Sequence, residues 1–478
     1  MPRNADPLFL ALDQGGHSSR ALVFSSTGEP IATARVAVDT YYPHPGWAEQ
    51  DADTLVESLR AAVAQVLKSL GSDAVRLRAA GMATQRSNCV CWRRSTGAPL
   101  SPAISWQDRR AQTWLENLEL TATEIRAHTG LYRSPHYGAG KLRWCLDHLP
   151  EVRAAAAAGD LACGPLASLL VTRLLVDPPF LVDPANAART LLWNLAARDW
   201  DEELLSAFGI ARQLLPRCVG TVHDYGALDI GPRSLPLRVL TGDQSAALFA
   251  DGRPRGDTVY INLGTGAFLQ RPVAGVSRPP DGLLAGIVYA DATRADYVLE
   301  ATVNGAGTAL DWVRDQLGIR SIEAELDAWM QLEGDVPLFL NGIAGLGSPW
   351  WDPHFASRFV GSGEPWAQAV AVAESIVFLV VENLHLLQGD EPALLIRVSG
   401  GLAQIDSLCQ RLADISGLTI MRSTQAEATA RGVAWLLADT EGLGWSCTDG
   451  EEFMPRPSPD SQARFRHWRD AMRQAVTA

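Results

Sequence analysis

Apolar residues fall into two spacings along this 478-residue chain. Solid apolar runs closed by turn residues predict buried strands. The first is LFLALD (8–13), which runs into QGGHSS; RALVFSSTG (20–28) and PIATARVAV (30–38) follow as further strands. DADTLVESLRAAVAQVLKSL (51–70) instead carries apolar residues at helical spacing, with Asp51 or Asp53 placed to cap it. RLRAAGMATQ (76–85) reads as another buried strand, and LRWCLDHLPEVRAAAAAG (142–159) as helical, stopping at Gly159. Near 238–250 the chain reads strand, T-G-D-Q, then the helix SAALFA.

VYINLGTGAFLQRPV (259–273) repeats the opening arrangement of strand, glycine turn and strand. A third glycine turn, Ser399-Gly400-Gly401, ends the strand in IRVSGGLAQIDSLCQRLADISG (396–417), and a helix follows. Two halves that each open on a glycine hairpin imply an internal duplication with a ligand between them. The chain is expected to be α/β, with halves 1–247 and 248–478. The tail FRHWRDAMRQAVTA (465–478) reads as an amphipathic helix.

Composition narrows the class. Hydrophobic residues make up 47% and charged residues 20%, enough for sizeable cores and too apolar for disorder. The net charge of −13 argues against nucleic acid and anionic membranes as partners. It leaves a phosphorylated small ligand open, because local N–H groups and metal ions bind phosphate whatever the total charge. No uninterrupted apolar run reaches the roughly 18–20 residues of a membrane span, and MPRNADPLFL lacks a signal-peptide pattern, so a cytoplasmic location is expected. Seven scattered cysteines (89, 91, 145, 163, 218, 409 and 447) fit a reducing compartment; CVC at 89–91 lacks zinc-site spacing.

The hairpin at 13–20 carries the first candidate chemistry. Gly15 and Gly16 allow backbone N–H groups to approach phosphate oxygens, and Asp13 could hold Mg²⁺ through water. Alone, such a hairpin is more readily an ordinary β-turn opened by an aspartate. The second copy at Gly264-Thr265-Gly266 favours a triphosphate clamped from both sides.

With these stretches in hand, the chain resembles the FGGY carbohydrate kinases of the actin- and hexokinase-like ATPase superfamily, and among them the glycerol kinases. The matching segments include ALDQGGHSSRALVF (11–24), HPGWAEQDADTL (44–55), GMATQRSNCVCWRRSTGAPLSPAISWQDRR (81–110), KLRWCLDH (141–148) and DPANAARTLLWNLAARDWDEELL (183–205). They continue with GDQSAALFA (242–250), INLGTGAFL (261–269), GLGSPWWDP (345–353), SGGLAQIDSLCQRLADISG (399–417) and EATARGVAW (427–435). The resemblance implies two duplicated actin-like (ribonuclease H-like) domains around a cleft, and phosphoryl transfer from ATP with Mg²⁺ to a hydroxyl of a small polyol or sugar. It implies Asp243 as general base and metal-facing carboxylate, with Gln244 on a second substrate hydroxyl. Arg86, Trp106 and Phe268 would line the pocket. Gly15, Gly16, His17, Ser18, Arg20, Gly264 and Thr265 would surround the phosphates, and Gly307, Gly400 and Gly401 the adenosine side. Family analogy further suggests a homodimer or homotetramer.

Two pocket positions depart from the glycerol kinase pattern. Ser87 stands where a glutamate usually accepts hydrogen bonds, and His136 replaces a tyrosine, so the acceptor could equally be another polyol or a sugar such as xylulose. In the first hairpin, Gly16 and His17 replace hydroxyl side chains. His17 either donates from its ring to phosphate or turns away and leaves the work to the backbone. A non-catalytic sugar or nucleotide sensor is the rival reading. A dehydrogenase is excluded because no G-x-G-x-x-G follows a strand with a matched acidic residue downstream.

Overall fold

The computed structural model describes residues 6–477 except 232–233, 276–277, 390–391, 424–426 and 447–449, so Cys447 lies outside the described residues. Two seven-stranded mixed sheets organise the chain. The first holds β1 (Leu8–Gln14), β2 (Ser18–Ser25), β3 (Pro30–Ala37), β4 (Leu77–Thr84), β5 (Leu175–Val176), β6 (Ala227–Asp229) and β7 (Ser234–Gly242), in the order β3-β2-β1-β4-β7-β6-β5. The second holds β8 (Thr258–Leu263), β9 (Ala267–Val273), β10 (Leu284–Ala290), β11 (Ala295–Val303), β12 (Leu395–Ser399), β13 (Thr419–Arg422) and β14 (Glu451–Phe453), in the order β10-β11-β9-β8-β12-β13-β14.

The two sheets repeat one wiring. An antiparallel hairpin, β1–β2 or β8–β9, is joined on its first strand by a parallel neighbour, β4 or β12, and then by a second, β7 or β13. The expected duplication and α/β class are thus present. A smaller four-stranded sheet, built from Glu49–Gln50, Ala103–Ile104, Cys89–Arg93 and Leu161–Pro165, is inserted in the first half.

β1 is apolar at nearly every position because both of its faces are covered. Leu8, Leu10 and Leu12 join the core that contains Leu55, Val56 and Leu59 of α1 (Ala52–Leu70). Phe9 and Ala11 on the opposite face join the core of Val433, Ala434 and Leu437. Asp51 caps α1 by accepting from the Thr54 N–H at 2.6 Å. The segment 142–159 is two helices rather than one. α2 (Gly138–His148) ends before Pro150, whose missing N–H and ring forbid continuation, and a second short helix begins there. Helix α3 is shorter than SAALFA suggested, covering Asp243–Ala247.

In the second sheet, α4 (Gly307–Leu317) and α5 (Pro365–Gln388) cover one face. By length and composition α5 could cross a membrane, with mean hydropathy 1.8 over its best window, yet 83% of that window is buried in the core. Its apolarity reflects a helix surrounded on all sides. After the Ser399-Gly400-Gly401 turn the chain makes a 3₁₀ turn, Leu402–Gln404, so α6 (Asp406–Ser416) starts later than expected. The tail helix, Pro459–Thr477, buries Phe465, Trp468 and Met472.

The halves share a core. Helix α7 (Ala428–Asp439), from the far end of the chain, packs on β1 and β4 of the first sheet and on α3. Gly432 makes the crossing with α3 possible, because a Cβ there would overlap the Ala246 carbonyl. Gly432→Ala is therefore expected to cost about 1–3 kcal/mol by overpacking and to push α7 off α3. A lowered midpoint in urea unfolding checks this, and an unchanged midpoint refutes it.

Candidate active site

Parallel register brings the chemistry to one edge of each sheet. Asp13 pairs with Ala83, and Thr84 with Gly242, so β1, β4 and β7 all end at the edge where Asp243 begins α3. On the other sheet Asn262 pairs with Ser399, which puts the hairpin 264–266 and Gly400 at one edge. Gly400 has φ +97°, and a Cβ would collide with the Leu263 carbonyl, so only glycine keeps that turn so close to β8. The two edges face each other across a cavity of about 210 Å³ lined by Asp243 and Gln244 on one side and Asn262, Phe268 and Ser399 on the other.

Asp243 is half-buried, its side chain 32% exposed, and burial pushes its pKa above the usual carboxylate range against the pull of Arg86. Its Oδ1 accepts from the Gln244 N–H at 2.7 Å and lies 4.0 Å from Arg86 Nε. Arg86 donates to Gln244 Oε1, and its stem passes over Gly242, where a Cβ would collide with it. Trp106 and His136 meet with ring centroids 5.6 Å apart, and His136 packs edge-on against Tyr137. Burial, helped by Lys141 and Arg109, holds the His136 imidazole neutral, its pKa well below the usual value. Ser87 is buried with φ +66°, a backbone strain uncommon outside glycine.

In the first hairpin, Gly15 N–H donates to Ser18 O at 3.0 Å. The N–H groups of Gly16 and His17 have no partner among the described residues. The His17 side chain is exposed, Ser18 is buried, and Gly16 O is held by Gln50 Nε2 at 2.9 Å. Asp13 is buried and faces the Arg20 guanidinium at 2.7 Å; Arg20 in turn reaches Glu427 at 2.5 Å. Burial nevertheless pushes Asp13 up to about 7, with the Asp243 charge adding to the rise. A buried carboxylate that shares its cation, Arg20, with Glu427 and is raised further by the charge of Asp243 fits Mg²⁺, which takes hard oxygen donors and keeps several waters. Across the cleft, Gly307 N–H donates to Gly264 O at 2.9 Å, so Gly307 offers a surface free of Cβ rather than a donor. Thr265 and Gly401 are exposed.

Sequence reasoning missed the charged cluster behind the pocket. Glu300, buried on β11, accepts from Arg189 and from Gln270 Nε2 at 3.1 Å, and lies 3.6 Å from Arg86 Nη1. Arg189 and Arg86 hold the Glu300 carboxyl below its usual range against the opposing effect of burial. One signal was available: a single glutamate in the apolar strand YVLEATV requires a buried partner. Nothing in the sequence said which partner.

Two α/β halves thus present matching sheet edges across a shared cavity, the architecture of a cleft protein. The chain belongs to the FGGY family of carbohydrate kinases: residues 8–249 match the family's N-terminal domain and residues 259–439 its C-terminal domain. It is 35% identical to a glycerol kinase of Alkalilimnicola ehrlichii and 34% identical to one of Alcanivorax borkumensis, each covering 98% of both chains. Among solved structures, Plasmodium falciparum glycerol kinase with ADP superposes with TM-score 0.90 at 23% identity, and a xylulose kinase from Rhodospirillum rubrum with TM-score 0.87 at 21%, each over 98% of both chains. The protein is accordingly an ATP-dependent phosphotransferase acting on a hydroxyl of a small polyol or sugar.

Glu300→Gln leaves two buried guanidinium groups under-compensated, at an expected cost of about 3–5 kcal/mol in urea unfolding. Because the folded pKa of Glu300 lies below 4.5, its contribution is complete above that pH and is lost as pH falls through the folded value. The gap between wild type and variant is expected to narrow in acid; a gap that widens there contradicts the assignment.

Proposed function

We propose that the chain phosphorylates a primary hydroxyl of a small polyol or sugar, with Asp243 accepting the hydroxyl proton. The observation that carries this is the position of Asp243, half-buried on a cavity between the two sheet edges, with Arg86 and Gln244 beside it and Phe268 across from it. A carboxylate whose pKa is raised by burial is a stronger base than one in water. Gln244 and Arg86 offer hydrogen bonds to neighbouring hydroxyls, while Phe268 and Trp106 cover the C–H faces.

ATP would lie between the hairpins. The unpartnered N–H groups of Gly16 and His17, with Ser18 and Arg20, suit the phosphates from one side, and Gly264 and Thr265 from the other. Gly307, Gly400 and Gly401 would flank the adenosine. Asp13 and Asp243 would hold Mg²⁺, which neutralises phosphate charge when bound. Residues 1–247 would form the acceptor-binding domain and 248–478 the nucleotide-binding one. At position 87 a hydroxyl stands in place of a carboxylate acceptor, so acceptors are expected to be discriminated by hydroxyl pattern as well as size. Asp243→Asn is expected to lower kcat on glycerol or xylulose by about 10²–10⁴-fold while ATP binding by calorimetry persists. Turnover within a few-fold of wild type would refute the assignment of the base.

A further inference from the structure

Lys141 is a buried charge that the proposed chemistry does not use. It lies on α2, fully enclosed, and no carboxylate among the described residues pairs with it. Its Nζ donates to two main-chain carbonyls, Ser87 O at 3.0 Å and His136 O at 2.6 Å. Burying an amine this deeply is expensive, and burial pulls its pKa down to about 7. A structural lysine would be matched more cheaply by an apolar residue of its size.

The two carbonyls are not arbitrary. They belong to Ser87 and His136, the two residues at which the acceptor pocket departs from the glycerol kinase pattern, on separate segments 49 positions apart (136 less 87). Ser87 is held at φ +66°, a conformation that persists only where its surroundings over-determine it. Its Oγ is buried without a hydrogen-bond partner among the described residues, and so is Nη1 of the adjoining Arg86. Unsatisfied buried polar atoms in a ligand pocket are what a bound polar group would satisfy. His136 is fixed at its carbonyl on one side and packs its ring against Trp106 on the other.

We infer that Lys141 is a positioning residue of the acceptor site: by clamping the Ser87 and His136 carbonyls it holds Ser87 Oγ, Arg86 Nη1 and the His136 ring in the arrangement that receives the substrate's hydroxyls. This rests on the acceptor site described above. It assigns Lys141 an effect on acceptor binding and none on the nucleotide.

The test is steady-state kinetics of the full chain with ATP and glycerol, and with ATP and xylulose, for wild type, Lys141→Met, Ser87→Ala and His136→Ala. Lys141→Met is expected to raise the acceptor KM about tenfold or more, with the ATP KM within about twofold. Adding Ser87→Ala to Lys141→Met is expected to cost less than Ser87→Ala does alone, because the lysine acts through that residue. Equal changes in both KM values, or a lowered melting temperature with both KM values unchanged, would make Lys141 merely structural and overturn the inference. If Lys141→Met does not fold, Ser87→Ala and His136→Ala decide, since unchanged acceptor KM in both overturns it as well. Wild type that turns over neither acceptor counts against the proposed reaction instead. In that event calorimetric titration of glycerol into wild type and Ser87→Ala reads acceptor binding directly, and equal affinities overturn the role of Lys141.

Discussion

The carboxylate of Glu300 sits between two buried guanidinium groups, and the geometry of the cleft depends on that arrangement. Glu300 comes from the second sheet, Arg86 and Arg189 from loops of the first half, so the ion cluster ties the halves together beside Asp243. None of the three could be buried alone at tolerable cost. Together they fix the Arg86 stem over Gly242 and bring its head to Gln244, which places hydrogen-bond donors next to the candidate base. The same cluster passes charge to its surroundings: Arg86 and Arg189 help keep the His136 imidazole neutral and oppose the rise of the Asp243 pKa.

A second constraint acts from the other side of the sheet. Helix α7 belongs to the C-terminal part of the sequence yet covers β1 and β4, and Thr429 near its start donates to the Asp243 carbonyl at 3.3 Å. Arg20 extends the contact to Glu427, so the first hairpin is bonded both to its own aspartate and to the segment leading into α7. A relative shift of the halves would have to break or carry these bonds. That links the first glycine hairpin to the packing of a helix nearly the whole chain away.

The repeated wiring of the sheets explains why a glycine-rich turn serves in both halves. In each, the hairpin opens beside the C-terminal ends of parallel strands, where backbone donors gather and side chains can be kept small. The halves then diverge. The first adds a four-stranded sheet that carries Ser105 and Trp106 at its edge, and the second adds the long buried helix α5. Trp106 thus grows out of the insertion, while the glycine turns stay on the shared frame.

Periodicity and turn chemistry alone determined the strands and main helices, the doubled hairpin and the α/β class, because those features are local and repeat within a dozen residues. Asp13 and the glycine turns were legible for the same reason, each standing where an apolar strand ends, whereas Asp243 was singled out by the family resemblance. The two helices read as one at 142–159, and the late start of α6 after Gly401, show where a short turn outweighed the apolar pattern. Glu300, Arg189 and Lys141 were not legible as parts of a site, since a lone charge in an apolar element announces only that some partner exists. Which partner is a matter of contacts between segments 54 to more than 200 residues apart (141 less 87; 300 less 86). Only the packed chain decides these, because the low dielectric that makes such pairing compulsory exists only once both segments are buried.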